Sequence, residues 1–197
     1  MSKVINQTNG LKFLQDEAKF IQDKSTLSQY TNETVSIIHS GMFQGCTNLS
    51  ILCLPNVHTI EDSAFQGCTN LSQVILPKGY NIGSSAFNGC TNLALVVLFN
   101  PINAQPETTG NIGLSAFHQC TNLSTLYLGL TAPPILAGTN PNSVFSGTLL
   151  QNTTASKGSI YVQDGLVATY KTSAIWKSNY LTGKIQVGSY TFLANNS

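Results

Sequence analysis

Apolar and polar positions along this chain change period in a regular cycle. At Ala64, Phe65, Cys68 and Leu71 the apolar residues fall at i, i+1, i+4 and i+7, which places them on one face of a short helical turn. Asp62 or Ser63 stands where a side chain would cap the start of that turn. Between such turns the period drops to two. Leu52 and Leu54, Val74 and Leu76, Val96 and Leu98, and Leu126 and Leu128 each point one way, as in a half-buried strand. Pro55 and Pro77 then end two of these strands, because proline has no N–H to give to a ladder.

The cycle is a repeat. "IHSGMF" (38–43), "IEDSAF" (60–65), "IGSSAF" (82–87) and "IGLSAF" (112–117) are each followed, two residues later, by Cys-Thr-Asn-Leu. Cys46, Cys68, Cys90 and Cys120 head these tetrads at intervals of 22, 22 and 30, so the third interval carries eight extra residues. A worn copy, "NSVFSGTLL" (142–150), keeps Phe145 and Gly147 but lacks Cys and Asn. One strand and one helical turn per 22 residues predict a solenoid, in which coils stack to bury a continuous core and leave a parallel sheet on one side.

The open ends of such a stack need covers. Leu11, Leu14, Ala18 and Ile21 recur at helical spacing, with Lys12, Asp16, Lys19 and Asp23 opposite, and predict an N-terminal capping helix. Beyond the repeats the pattern predicts a strand at Ile160–Val162, a helix over 164–176 and a strand pair over 184–193. Trp176, the only tryptophan, is expected in the core of this second cap. The chain thus divides into an N-terminal helical cap (1–34), repeats (35–150) and a C-terminal cap (151–197).

The pattern IGxxAFxxCxNLxxLxLP resembles the BspA-type leucine-rich repeat, also called the Treponema pallidum type, over residues 35–150. The tail, "APPILAG" and "SVFSG" before "SIYVQDGLVATYKTSAIWKSNY", is similar to the closing segment of many such proteins, with Gln163 where proline is usual. The resemblance implies an α/β solenoid, a right-handed leucine-rich-repeat stack with a parallel β-sheet, an N-terminal capping helix and an α+β C-terminal cap. It also implies a non-enzymatic module at a bacterial cell surface, or secreted, that takes part in adhesion and recognises a host or partner-cell protein or glycoprotein.

Composition narrows the partners. The net charge is +1 and all nine basic residues are Lys. A chain without Arg lacks the bidentate fork that reads phosphate and guanine, so nucleic acid is not an expected partner. No run of eighteen apolar residues occurs, and membrane insertion is not expected. The start, "MSKVINQTNGLKF", lacks the apolar stretch of a signal peptide. Charged residues are only 9 % of the chain, and Asn, Thr, Ser and Gln supply the polar surface, as in extracellular and virion proteins. A second reading is therefore a structural or receptor-binding component of a phage or virus particle, with another virion protein as partner. A hydrolase ranks last: His39, His58 and His118 occupy non-equivalent repeat positions, and no HExxH, GxSxG, phosphate loop or paired-carboxylate motif is present. No cofactor is implied, and no pattern fixes an oligomeric state.

Four sets of residues are candidates for structural or binding roles. Stacked cysteines would point in parallel, a poor geometry for disulfides, and a line of single Cys does not converge as zinc ligands must. Cys46, Cys68, Cys90 and Cys120 are read as a buried, reduced column. Asn48, Asn70, Asn92 and Asn122 are read as a second ladder of buried amides bonding the turns, on which a glycan at the three Asn-Leu-Ser sequons would not fit. On the strands, Gln73 and Ile75, Leu95 and Val97, and Thr125 and Tyr127 are expected to face outward with Ile51 and Cys53 as an apolar patch for a partner. The insertion "FNPINAQPETTG" (99–110), with Phe99, Tyr80 and His58 near the same edge, is the other candidate.

Overall fold

Two short strands, not one, turn each coil. The computed structural model describes residues 3–7, 24, 26–78, 81–99, 110–138, 142–151, 157–174, 176 and 185–188. The longer strands are β1 (Lys3–Gln7), β2 (Leu27–Asn32), β4 (Ile51–Cys53), β6 (Gln73–Leu76), β8 (Leu95–Phe99), β10 (Thr125–Gly129), β12 (Ser159–Val162) and β13 (Ile185–Val187). They form a front sheet in two pieces, β1-β2-β4 and β6-β8-β10-β12-β13. Between them run β3 (Ile37–Ile38), β5 (Thr59–Ile60), β7 (Asn81–Ile82), β9 (Asn111–Ile112) and β11 (Ile135–Leu136), which pair in chain order as a back sheet. All pairings are parallel, and equivalent residues meet rung to rung: Val74 with Val96, Val96 with Leu126, and Ile60 with Ile82. The molecule is a leucine-rich-repeat stack of the expected class.

The bend between the sheets is tighter than the expected helical turn. Gln66 N–H donates to Ser63 O (3.1 Å), Cys68 N–H to Phe65 O (3.1 Å) and Leu71 N–H to Cys68 O (3.1 Å), a chain of three-residue turns. Ser63 is no helix cap. It sits at φ 56°, and Ser85, Ser115 and Gly41 take the same left-handed conformation at the equivalent place. Asp62 instead reaches the next coil, its Oδ1 accepting from Ser84 N–H at 2.7 Å. Gly83 is forced by closeness: a Cβ there would lie 2.6 Å from the Asp62 backbone nitrogen.

The core is a column of rings and thiols. Phe43, Phe65, Phe87, Phe117 and Phe145 stack in near-parallel planes at centroid spacings of 5.1, 5.4, 5.5 and 5.7 Å. Tyr30 packs on one end at 4.6 Å and Trp176 on the other at 6.4 Å. Trp176 is buried, and its indole N–H donates to Pro134 O at 2.8 Å. The worn copy is a full rung: α1 (Asn142–Phe145) delivers Val144 and Phe145 to the core, and Thr148 takes the cysteine's place, its hydroxyl donating to Phe145 O (2.8 Å).

At the N-terminus, the residues of the expected capping helix lie outside the described ones. Within 1–34, β1 pairs with β2 and β2 with β4, so this stretch contributes strands to the front sheet. At the other end the helix is shorter than 164–176: α2 spans Val167–Thr172 and starts after Gly165, whose φ of 81° breaks the helical path. β13 pairs with β12 in parallel. The rest of the expected strand pair lies outside the described residues.

Candidate interaction surface

The front sheet turns alternate side chains away from the core, and pairing sets them in rows. One row runs Ile75, Val97, Tyr127 and Tyr161, the other Gln73, Leu95, Thr125 and Ser159. Ile51 and Cys53 lie on β4 at the equivalent repeat positions, and both are exposed, Ile51 by 50 %. Gln73 is exposed, and Ile75, Leu95, Thr125 and Tyr127 are half-buried. Tyr161 was not singled out in the sequence; the pairing of β12 with β10 sets it beside Tyr127. The two rings stack at 4.6 Å and 15°.

Val97 departs from expectation. It holds its outward register between Ile75 and Tyr127 yet is 0 % exposed, and it is not among the side chains of the continuous core. Periodicity gives the side it faces but not its burial; the bulkier Ile75 and Tyr127 flank it in its own row. The open surface is therefore the ends of the patch, not its centre. Phe99 ends β8 opposite Gly129. Tyr80 and the insertion 100–109 lie outside the described residues. His58 precedes β5 on the back sheet, with Nδ1 3.0 Å from Thr59 Oγ1, and so is on the other side of the coil from the patch.

The cysteine column is a hydrogen-bond ladder. Cys68 Sγ donates to Phe43 O (3.1 Å), Cys90 Sγ to Phe65 O (3.1 Å) and Cys120 Sγ to Phe87 O (3.0 Å), each thiol reaching the preceding coil. Phe65 O also accepts Cys68 N–H (3.1 Å), so one carbonyl ties two rungs. Burial pushes these thiols up, to about 11 at Cys46 and about 12 at Cys120, and higher still at Cys68 and Cys90. All five cysteines are free and only Cys53 is exposed. Titration with a thiol reagent at pH 8 should therefore modify one thiol in the native protein and five in denaturant. More than one fast native thiol would contradict this burial.

The asparagine column is on the surface, not buried. Asn48, Asn70, Asn92 and Asn122 are all exposed. The turn closes through its own backbone, with Leu49, Leu71, Leu93 and Leu123 N–H donating to the preceding Cys carbonyl at 2.9–3.1 Å. Asn122 Nδ2 meets Asn92 Oδ1 at 3.5 Å, an outer contact between rungs. The steric argument against glycans at these sequons falls with the burial.

A groove of ≈ 560 Å³ crosses the back sheet, lined by Ser40, Thr59, Glu61, Asp62, Asn81 and Asn111 among others. Its carboxylates are already engaged. Glu61 Oε2 accepts from Ser40 N–H (2.9 Å) and lies 3.4 Å from His39 Nδ1; the backbone bond, then the histidine, holds this carboxyl below its usual range. Among the described residues no three His, Cys, Asp or Glu side chains converge as metal ligands. No described helix is long and apolar enough to cross a membrane.

Comparison with known proteins adds the following. The BspA type leucine-rich repeat region matches residues 16–129 in six copies. No curated protein matches the chain. A solved leucine-rich repeat protein from Bacteroides ovatus is 28 % identical over 52 % of this chain and 25 % of its own, with a TM-score of 0.45. The T. pallidum leucine-rich repeat protein is 23 % identical over 62 % of this chain and 64 % of its own, with a TM-score of 0.48. The chain thus spans a quarter of one relative and less than two thirds of the other.

Proposed function

Because this chain belongs to the BspA-type leucine-rich repeat family, we propose that it is a non-enzymatic recognition module that binds a protein or glycoprotein on its front sheet. Leucine-rich repeat domains generally bind proteins, and BspA-type repeats are typically found in surface proteins. The observation that carries the reading is the open rim of the front patch: exposed Ile51, Cys53 and Gln73 on one side of Val97 and the half-buried, stacked Tyr127–Tyr161 pair on the other. Partly exposed tyrosines and aliphatics on a sheet face are among the side chains found at protein interfaces. The finer reading is adhesion at a bacterial cell surface, or after secretion, to macromolecules of a host or partner cell.

The test is binding to a panel of immobilised host-surface and matrix glycoproteins. Ile51→Lys and Tyr127→Ser, separately and together, are compared with wild type after circular dichroism has shown the fold intact. Loss of an aromatic anchor should weaken binding by at least about tenfold. Binding unchanged in the double variant would move the site off this face.

A further inference from the structure

We infer that the front sheet is hinged between β4 and β6, so that its two pieces pair or part while the back of the same two coils stays bonded. The repeat places Ile51, Leu52 and Cys53 22 residues before Gln73, Val74 and Ile75. At that same spacing β2 pairs with β4 and β3 with β5. A strand pair is therefore due between β4 and β6, yet the sheet divides there. The backbone at the start of the strands shows the same break. Ser50 N–H donates to Ser28 O (3.0 Å), Ala94 N–H to Ser72 O (2.9 Å) and Ser124 N–H to Ala94 O (3.2 Å), but no such bond links Ser72 to Ser50 among the described residues.

The core registers the gap. Leu52 is only half-buried, whereas its counterparts Tyr30, Val74, Val96, Leu126 and Ile160 are at most 1 % exposed. Behind it the same two coils are tightly joined. Gly41 N–H donates to Asp62 O (3.0 Å), Phe43 N–H to Ala64 O (2.8 Å), Gly45 N–H to Gln66 O (2.8 Å) and Glu61 N–H to Ile38 O (2.9 Å). Phe43 and Phe65 stack at 5.1 Å, the shortest spacing in the column. A joint closed at the back and open at the front is the geometry of a hinge.

Its energetics are balanced. Backbone groups facing the gap exchange a strand partner for water, and the net gain of each such exchange is small. Closing the joint buries Leu52 and brings Ile51 and Cys53 into line with Gln73 and Ile75; opening it tilts one part of the front face against the other. A ligand touching both parts selects one of these states. The hinge itself depends on no ligand.

Residue-resolved amide hydrogen exchange on the free protein tests this. The amides of Ile51–Leu54 and Gln73–Leu76 that point across the joint should exchange at least about tenfold faster than those between β8 and β10. Phe43, Gly45 and Glu61, bonded across the same joint from behind, should stay protected, as should Ser50, bonded to β2. Protection across β4/β6 equal to that across β8/β10 would overturn the hinge. So would equally fast exchange at Phe43, Gly45 and Glu61, because the N-terminal coils would then be detaching as a whole. Neither result bears on whether the front face binds a protein.

Discussion

Phe87→Ala should lower the free energy of unfolding by about 3–5 kcal/mol, the range for deleting a fully buried phenylalanine. The ring is 0 % exposed and is stacked on Phe65 at 5.4 Å and on Phe117 at 5.5 Å. Its removal strips two neighbours of a partner, and the gap cannot refill. The flanking rings are held in register by backbone bonds from Phe65 N–H to Ala86 O and from Phe87 N–H to Ala116 O, both 2.8 Å. In a stack, stability is carried by contacts between adjacent rungs, so a break in the middle separates two short arrays. Urea denaturation followed by circular dichroism measures the loss. Leu114→Ala, at a side chain 49 % exposed, is the matched control and should stay within about 0.5 kcal/mol of wild type.

The second large effect concerns Val97. Val97→Lys should destabilise the protein by about 3–5 kcal/mol, the cost of an uncompensated buried charge. The side chain is wholly buried, and the outward positions around it, Gln73, Ile75, Leu95, Thr125, Tyr127, Ser159 and Tyr161, offer no carboxylate. Ile51→Lys, on the same sheet face but 50 % exposed, should change stability by no more than about 0.5 kcal/mol. The pair separates folding from recognition: Ile51→Lys reports on binding, whereas Val97→Lys reports on stability. A Val97→Lys protein as stable as wild type would mean that the centre of the face is open to water.

Much of this architecture was legible in the repeat. Phe65, Cys68, Leu71, Val74 and Leu76 were all assigned inward by period alone, and all are at most 1 % exposed. The back strands were not legible, because two residues such as Thr59–Ile60 are too short to show an alternation. Nor was the exposure of the asparagine column: a residue kept in all four clear copies reads as buried, but here the backbone closes the turn without it. Val97 shows the limit for the site. Alternation tells which side of a sheet a residue faces and says nothing of what covers that side. Tyr161 was missed for a different reason, since it follows the last clear Cys-Thr-Asn-Leu copy and joins the row only through the pairing of β10 with β12.

The thiol-to-carbonyl ladder makes this chain extensible. Three successive joints use the same lock and the same key: the Phe carbonyl of one rung accepts the thiol of the next, from Phe43 and Cys68 to Phe87 and Cys120. Copying residues 68–89 in place would give the new cysteine a carbonyl to meet and the new ring a neighbour on either side. No contact would have to be invented. A gene encoding such a protein can set the length of its face by unequal duplication alone, one 22-residue step at a time. The worn copy breaks the ladder, with Thr148 in the cysteine's place and its hydroxyl turned back to its own rung.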